Sequence, residues 1–248
     1  MISKIIENFS LFFNPYPHLI RKKFDKGKMV VKFLVNSPVE KWRIESLDGE
    51  EKLIEILLKN LKEDDIFYDV GSCIGLYSIL VSKKGAISYA FDPDPSVYNH
   101  MVKNIELNHL QKKIKTFRCA VSNRQGNVDF YVLAQGEKSS SIINKRDMRI
   151  KIKVSATSID YMIKHKKVEY PTIIKMDIEG AEALAIEGMK SLICSPRRPR
   201  MLIIEFHPEF IKLFNTTYQN LRKTIIDSGY KEYYVQSRSN EKNCIFVK

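Results

Sequence analysis

The stretch of residues 66–75, Ile-Phe-Tyr-Asp-Val-Gly-Ser-Cys-Ile-Gly, constrains the fold more than any other part of the chain. Its first five residues are apolar, aromatic or β-branched apart from one aspartate, which is typical of a strand covered on both faces. Gly71 and Gly75 then permit a tight turn and a close backbone approach to a ligand. A helix is predicted over residues 76–83, so its unpaired N–H groups would face the turn. This order of strand, glycine turn and helix is typical of nucleotide-binding sites in open α/β sheets.

The glycine spacing argues against a dinucleotide as the ligand. Dinucleotide-binding folds have Gly-x-Gly-x-x-Gly, whereas this chain has Gly-x-x-x-Gly with Cys73 in place of the second glycine. Asp69 lies just before the turn, and its carboxylate would repel a pyrophosphate but suit an ammonium or sulfonium group. These residues favour S-adenosylmethionine (SAM) over NAD, while an ordinary strand-to-helix turn fits the same spacing.

The size and composition of the chain fit one large α/β domain with extensions. A chain of 248 residues with 44% hydrophobic and 28% charged residues can bury a sizeable core. Its net charge of +12 is consistent with a solvated basic surface. An anionic substrate and an anionic membrane surface are the functional alternatives. Nucleic acid is disfavoured because no arginine-rich stripe is interleaved with aromatic residues.

The cysteines and the apolar runs predict a cytoplasmic protein. None of the four cysteines forms a C-x-x-C pair, so neither a structural zinc site nor a redox motif is indicated, and reduced thiols are expected. No apolar run is long enough for a transmembrane helix, and no secretory signal is recognisable. Peripheral contact with a membrane stays open, as does the oligomeric state.

Residues 1–60 are predicted to form an extension that packs on a core domain of residues 61–248. Apolar residues at helical spacing predict a helix over residues 2–13, which either packs on the domain or lies at a membrane interface. Residues 28–35 and 42–46 are predicted to be strands of this extension.

Candidate cofactor-binding residues follow the second and third predicted core strands. Asp92 and Pro93 end the strand of residues 87–91, about twenty residues after the glycine turn, where a carboxylate can accept both ribose hydroxyl protons. The strand of residues 114–118 precedes small residues, among them Ala120, which either flank an adenine ring or make a plain tight turn. Residues 136–141 are predicted to be a polar loop, interpreted as a substrate lid or as a surface hairpin.

Charged residues also end the next two predicted strands. Residues 172–182 combine a strand with Lys175, Asp177, Glu179 and Glu182, and buried charges must be paired or used. A purely structural ion pair between the lysine and the aspartate is the alternative interpretation. A further strand over residues 201–206 carries Glu205 and is followed by His207. Because the carboxyl ends of parallel strands share one sheet edge, these side chains are expected to gather with the aspartates of the earlier strands.

Together these segments resemble the FkbM-type SAM-dependent methyltransferases. The resemblance covers about residues 65–207 and rests on five ordered motifs. These are Tyr-Asp-Val-Gly-Ser-Cys-Ile-Gly-Leu-Tyr-Ser at 68–78, Ala-Phe-Asp-Pro-Asp-Pro at 90–95, Asn-Ile-Glu-Leu-Asn at 104–108, Ala-Val-Ser at 120–122 and Ile-Lys-Met-Asp-Ile-Glu-Gly-Ala-Glu at 174–182, with Glu-Phe-His-Pro at 205–208 as a further match.

The resemblance implies a seven-stranded Rossmann-like sheet with helices on both faces. It also implies transfer of a methyl group from SAM, commonly to a hydroxyl oxygen of a sugar, glycan or natural product. By position, the expected cofactor-binding residues are Asp69, Gly71, Ser72, Cys73, Gly75, Asp92, Pro93, Ala120 and Asp177. The expected catalytic residues are Asp177, His207, Lys175 and Glu179, and the expected substrate-binding residues are Glu182, Glu205, Ser139 and Ser140.

The chain departs from the family pattern at three places. The family usually has Ala-Asn where this chain has Ser72 and Cys73, so a contact from an amide side chain is missing. It usually has glutamate at Asp92 and often aspartate at Asn123. The cysteine motivates one alternative interpretation, a non-catalytic module that binds SAM or a nucleoside.

Methyl transfer to a hydroxyl also requires a group that takes the proton. Asp177 is the first candidate for this base and His207 the second. A divalent cation held by Asp177 and Glu205 is a further hypothesis, which the spacing does not require. The net charge motivates a second alternative, an RNA methyltransferase on the same fold.

Overall fold

The computed structural model describes residues 17–133, 149–238 and 240–248. The strands are β1 (His18–Phe24), β2 (Met29–Val35), β3 (Ile66–Val70), β4 (Ile87–Phe91), β5 (Ile114–Phe117), β6 (Ala120–Val121), β7 (Gly126–Leu133), β8 (Arg149–Thr157), β9 (Ile173–Met176), β10 (Met201–Phe206), β11 (Lys231–Arg238) and β12 (Glu241–Val247). The helices are α1 (Pro38–Ser46), α2 (Glu51–Asn60), α3 (Leu76–Lys83), α4 (Pro95–Leu107), α5 (Ile159–Lys164), α6 (Glu182–Glu187), α7 (Lys190–Ile193), α8 (Pro208–Ile211) and α9 (Tyr218–Asp227).

A seven-stranded sheet with the order β11-β12-β10-β9-β3-β4-β5 forms the centre of the fold. Its strands from β10 to β5 run parallel, whereas β12 pairs antiparallel with both β10 and β11. From β3 the chain continues to β4 and β5 on one side and later returns to β9 and β10 on the other. The strand order therefore reverses beside β3, where ligands bind at the carboxyl ends of the strands in such sheets. A hairpin, β1–β2, and a small sheet, β6-β8-β7, accompany the central sheet.

Two apolar layers bury the two faces of this sheet. Phe67 is fully buried with residues of β2 and of helices α1 to α4, whereas Tyr68 is fully buried with residues of α5, α6, α7 and α9 on the opposite face. Side chains alternate along a strand, so Asp69, Lys175 and Glu205 lie on the same face as Phe67. That face is the one that the segment before β3 covers. Helices lie on both faces, as the Rossmann-like prediction required.

Side-chain amides of α4 attach β2 to this layer. Asn104 Oδ1 accepts a hydrogen bond from the Leu34 N–H at 2.7 Å. Asn108 Oδ1 accepts from the Lys32 N–H at 3.1 Å, and its Nδ2 donates to the Lys32 carbonyl at 2.7 Å. The two asparagines of the motif at residues 104–108 therefore satisfy backbone N–H and carbonyl groups at the free edge of β2, as a neighbouring strand would.

One expectation about local structure was wrong, and one of two open alternatives does not hold. Residues 42–46 are not a strand but the second half of α1, because Ser37 caps this helix by accepting from the Glu40 N–H and Pro38 occupies its first turn. The small residues after β5 do not form a plain turn, since Ala120 and Val121 form β6 and pair with β8. The predicted helix over residues 2–13 and the polar loop with Ser139 and Ser140 lie outside the described residues. Within those residues, no helix is long and apolar enough to cross a membrane.

Candidate active site

A cavity of about 180 Å³ opens at the carboxyl ends of β3, β9 and β10. Eight of the predicted site residues line it, namely Gly71, Ser72, Cys73, Lys175, Asp177, Glu179, Glu205 and His207. The segment before β3 contributes Glu40, Arg43, Ile44, Leu47, Asp48 and Glu50, and the last hairpin contributes Arg238 and Glu241. The cavity therefore lies between the sheet edge and the N-terminal elements, and its lining contains more carboxylates than cationic groups.

The glycine turn is shaped by a close approach to β9. Gly71 has φ +81°, and a Cβ there would lie 1.8 Å from the carbonyl oxygen of Asp177. Position 71 therefore requires glycine because the backbone carbonyl of Asp177 lies against it. Gly71 also forms part of the cavity wall. The N–H groups of Gly71 and Ser72 both donate to the Phe91 carbonyl at 3.0 Å, which ties the turn to the end of β4. Cys73 is exposed and adopts φ +50°, a left-handed conformation that is uncommon for cysteine.

Asp69 lies beneath this turn and does not line the cavity. Its Oδ2 accepts hydrogen bonds from the N–H and the hydroxyl of Ser78, at 3.0 and 2.7 Å, which fixes the first turns of α3. Burial is the main reason why its pKa is raised. In this structure Asp69 supports the helix start, and its contact with the methionine end of SAM stays a prediction.

Asp92 is joined directly to the glycine turn. Its Oδ2 accepts from the Cys73 N–H and its Oδ1 from the Asp94 N–H, each at 3.0 Å. Burial raises the pKa of Asp92 to about 7. Asp92 is not part of the lining of the cavity, and neither are Gly75, Pro93 and Ala120. The structure therefore brings the predicted ribose carboxylate next to the predicted methionine subsite.

Lys175 is a buried cation inside a group of carboxylates. Its Nζ lies 3.5 Å from Asp177 Oδ2 and 5.1 Å from the centroid of the Tyr77 ring. Burial alone would lower the pKa of Lys175, but the charges of Asp177 and Asp69 raise it above the usual value. The ion pair that sequence reasoning offered as a structural alternative exists, and it faces the cavity.

Asp177 is a charged acceptor at neutral pH. Burial alone would raise its pKa, but the positive charges of Lys175, His207 and Arg43 hold the pKa of this carboxyl below its usual range. Its Oδ1 is buried, has no hydrogen-bond partner among the described residues and lies 4.0 Å from His207 Nε2. An unsatisfied carboxylate oxygen in a cavity wall is suited to accept a proton or to face a cationic ligand.

His207 is buried and surrounded by carboxylates. Its Nδ1 lies 3.0 Å from Glu182 Oε1, and its Nε2 lies 3.5 Å from Glu179 Oε2. Burial opposes protonation, but the hydrogen bond to Glu182 and the neighbouring negative charges raise the pKa of His207 to about 9. Glu182 is fully buried, also accepts from the Gly180 N–H at 2.9 Å and does not line the cavity. Glu182 therefore orients His207, and its contact with a substrate stays a prediction.

Glu205 is a second carboxyl with a strongly shifted pKa. Burial and then the negative charges of Asp177 and Glu50 raise the pKa of Glu205 to about 9, so it is protonated at neutral pH.

Three groups of side chains could each hold a metal ion, because within each group the potential ligand atoms lie within 4.8 Å of one another. These groups are Asp177, Glu179 and His207; Glu205, His207 and Glu241; and Glu50, Asp177 and Glu205. A protonated imidazole or carboxyl cannot ligate a metal, so each group would have to lose a proton or compete with Lys175.

Sequence reasoning missed the residues that cover the cavity. Arg43, Glu50 and Arg238 come from outside the recognised motifs and look like ordinary surface charges in the sequence. The capping signal at Ser37 and Pro38 could have identified α1, but nothing in the sequence shows that this helix turns one side toward the glycine turn.

The lining of the cavity fits SAM. The sulfonium and ammonium groups of SAM are cations, and the lining supplies an excess of carboxylates, including the unpartnered Oδ1 of Asp177. Asp92 accepts a hydrogen bond from the Cys73 N–H. It therefore lies where the ribose hydroxyls would be, next to the methionine moiety. The absence of an asparagine at position 73 removes one side-chain donor from this site.

Comparisons with known proteins point to a methyltransferase family. Residues 69–232 match the family described as the methyltransferase FkbM domain. The hexuronic acid methyltransferase AglP of Haloferax volcanii is 30% identical over 179 residues, which are 71% of this chain and 70% of AglP. A tRNA (guanine(37)-N(1))-methyltransferase of Batrachochytrium dendrobatidis is 25% identical over 198 residues, which are 79% of this chain but 37% of that protein.

Solved structures show the same fold. The methyltransferase FkbM from Methylobacillus flagellatus KT superposes with a TM-score of 0.51 at 18% identity, covering 77% of this chain and 45% of that one. This chain thus spans less than half the length of that solved relative. The magnesium protoporphyrin IX methyltransferase ChlM from Synechocystis PCC 6803, solved with bound SAM, gives a TM-score of 0.50 at 15% identity, covering 86% and 85%. The sheet order, the cavity at its reversal point and the match over residues 69–232 lead to one conclusion: the chain belongs to the FkbM family of SAM-dependent methyltransferases.

Proposed function

We propose that this protein transfers the methyl group of SAM to a hydroxyl oxygen of a sugar, free or within a glycan. The observation that carries the proposal is the cavity whose lining joins the glycine turn to the charged carboxylate of Asp177, which has one unpartnered oxygen among the described residues. The similarity to a hexuronic acid methyltransferase supports a sugar as the acceptor. A hydroxylated acceptor also suits a lining rich in carboxylates, because hydroxyls donate hydrogen bonds to them.

SAM supplies an electrophilic methyl group on a sulfonium that is a good leaving group. The chain has to hold the acceptor oxygen in line with that methyl group, and such positioning can contribute about 7–11 kcal/mol. Asp92 would accept hydrogen bonds from the ribose hydroxyls of bound SAM, and the carboxylates around Asp177 would attract its cationic end. Lys175 keeps Asp177 oriented through their ion pair.

Asp177 is the proposed base that accepts the proton of the acceptor hydroxyl. Its depressed pKa leaves it deprotonated at neutral pH, whereas His207, with a pKa of about 9, is protonated there. His207 then serves as a hydrogen-bond donor toward the acceptor or toward Glu179. The protonated Glu205 is a second donor in the same wall. No metal ion is needed for this arrangement.

Residues 1–60 are proposed to be an extension that closes the cavity, and residues 61–248 the methyltransferase domain. The contacts that support this division are the cavity-lining residues of α1 and the attachment of β2 to Asn104 and Asn108. The extension would then determine which acceptors enter.

The test is a calorimetric titration with S-adenosylhomocysteine (SAH), followed by transfer of labelled methyl groups from SAM to a panel of hexoses, hexuronic acids and their glycosides. We expect SAH to bind and at least one sugar to be methylated on oxygen, with Asp177→Asn lowering kcat about 10²- to 10⁴-fold. Binding of SAH without transfer to any sugar would favour the non-catalytic module. Failure to bind SAH would contradict the cofactor assignment itself.

A second candidate function is methylation of tRNA. The observations in its favour are the net charge of +12 and the similarity to a tRNA methyltransferase, although this chain covers only 37% of that protein. The acidic lining of the cavity is unfavourable for a polyanion at the point of transfer.

A further inference from the structure

Arg43 differs from the other cations of the cavity. Three of the four cationic side chains in the lining have a carboxylate oxygen within 3.5 Å, namely Lys175, His207 and Arg238. Among the described residues, none places a carboxylate oxygen within 4.0 Å of the Arg43 guanidinium. A cation that lines an acidic cavity and has no ion pair is available to a ligand.

The position of Arg43 is fixed by its helix. Ile44, the next residue of α1, is buried in the apolar layer that also contains Phe67, so the helix cannot rotate freely. Arg43 is itself only partly exposed, and it is close enough to Asp177 to help to hold the pKa of that carboxyl low. The guanidinium is therefore held near Asp177 and near Cys73 of the glycine turn.

A guanidinium has the geometry that a carboxylate needs. Its planar fork can donate two parallel hydrogen bonds to one carboxylate, and it stays charged at every working pH. The surrounding carboxylates repel any anion that does not form an ion pair with a cation such as this guanidinium. An anionic ligand is therefore best accommodated beside a cation that is not already paired, and among the described residues of the lining that cation is Arg43.

We propose that Arg43 binds a ligand carboxylate in this cavity. This inference rests on the proposed function, which offers two sources of the same chemistry. One source is the carboxylate of the methionine moiety of SAM, and the other is the carboxylate of a hexuronic acid acceptor. Arg43 lies outside the residues that match the family, so the feature belongs to the extension and not to the shared domain.

The first arm of the experiment measures cofactor binding alone. SAH and decarboxylated SAH are titrated by calorimetry into the wild type, Arg43→Gln, Arg43→Lys and Lys41→Gln. Lys41 lies on the same helix, is exposed, and does not line the cavity, so its variant controls for the loss of one positive charge. If the cofactor is the source, Arg43→Gln weakens SAH binding by roughly 10- to 100-fold and leaves decarboxylated SAH unaffected, with Arg43→Lys in between.

The second arm compares acceptors at saturating SAM. If the acceptor is the source, SAH binds equally to all variants, but Arg43→Gln raises the KM of a hexuronic acid by a similar factor while the KM of the matching neutral hexose is unchanged. The inference is overturned if Arg43→Gln behaves like Lys41→Gln in both arms. A wild-type protein that does not bind SAH would instead contradict the proposed function, so the two failures are distinguishable.

Discussion

At the scale of single residues, the site depends on two groups whose ordinary protonation states are inverted. His207 has a pKa of about 9 and Glu205 also has a pKa of about 9, so near neutral pH the imidazole is charged and the carboxyl is neutral. Asp177 remains charged between them because Lys175 and His207 hold its pKa low. The wall of the cavity therefore offers one acceptor flanked by donors, which is the arrangement that a hydroxyl nucleophile requires.

This arrangement predicts a specific pH profile for kcat at saturating SAM. With Asp177 as the base, kcat is flat between pH 6 and 8 and declines as the pH passes about 9, where the His207 imidazolium is lost. His207→Gln removes the part of the decline that belongs to the imidazole. Glu205 titrates in the same range, so Glu205→Gln is measured alongside as the control. A kcat that instead rises toward pH 9 would make His207 the base.

The same imidazole predicts a pH dependence of stability. The pKa of His207 is raised above its unfolded value, so its ion pairs with Glu182 and Glu179 contribute fully below about pH 6.5. This contribution is lost as the pH rises through about 9. We expect the difference in unfolding free energy between wild type and His207→Gln, measured by urea denaturation, to shrink between pH 6.5 and 9.5. A difference that stays constant over this range would contradict the pairing.

Gly71 and Gly27 provide a matched test of the glycine turn. Both have positive φ values, +81° and +87°, but a Cβ at Gly71 would lie 1.8 Å from the Asp177 carbonyl oxygen, whereas a Cβ at Gly27 would meet nothing within 4 Å. Gly27→Ala should therefore cost only the strain of the left-handed conformation, about 1–2 kcal/mol. Gly71→Ala should cost several kcal/mol more, or prevent folding, and abolish SAH binding. Equal losses in the two variants would show that the close approach to β9 is not required.

At the scale of elements, local signals account for what the sequence could predict. The core strands and the helix after β3 were predicted correctly because apolar runs and glycines are short-range features. Residues 42–46 were misassigned because Trp42 and Ile44 favour strands, whereas the cap at Ser37 determined the outcome. The site was only half predictable, since residues such as Arg43 and Arg238 reach it through tertiary packing that leaves no local pattern.

The attachment of β2 to α4 gives a prediction at this scale. Asn108→Ala leaves the Lys32 N–H and carbonyl without their partners, and an unmade buried hydrogen bond costs about 1–3 kcal/mol. We expect a loss of that size in urea unfolding and a weaker binding of SAH, because α1 follows β2 directly. Asn60→Ala is the control, since Asn60 is exposed and, among the described residues, its side chain bonds only to the Ile56 carbonyl of its own helix. Unchanged SAH binding in Asn108→Ala would show that the extension does not shape the cavity.

At the scale of the whole molecule, the charges are unevenly distributed. The chain carries a net charge of +12, yet carboxylates outnumber cations in the lining of its cavity. The basic residues must therefore lie mainly elsewhere, and the exposed cluster of Lys164, Lys166 and Lys167 is one example. A basic surface attracts nucleic acid without regard to sequence, while an acidic cavity does not admit a phosphate backbone.

This distribution predicts that tRNA binds the surface and is not the acceptor. Filter binding of tRNA should weaken steeply with salt, with a log–log slope of about −0.9 for each phosphate contact in duplex regions. Replacing Lys164, Lys166 and Lys167 with glutamine should reduce that slope and leave sugar methylation unchanged, because none of the three lines the cavity. Saturating tRNA should likewise leave the binding of SAH unchanged. Incorporation of labelled methyl groups into tRNA, lost in Asp177→Asn, would overturn the choice of a sugar, since it would show that a polyanion reaches the carboxylates at the point of transfer.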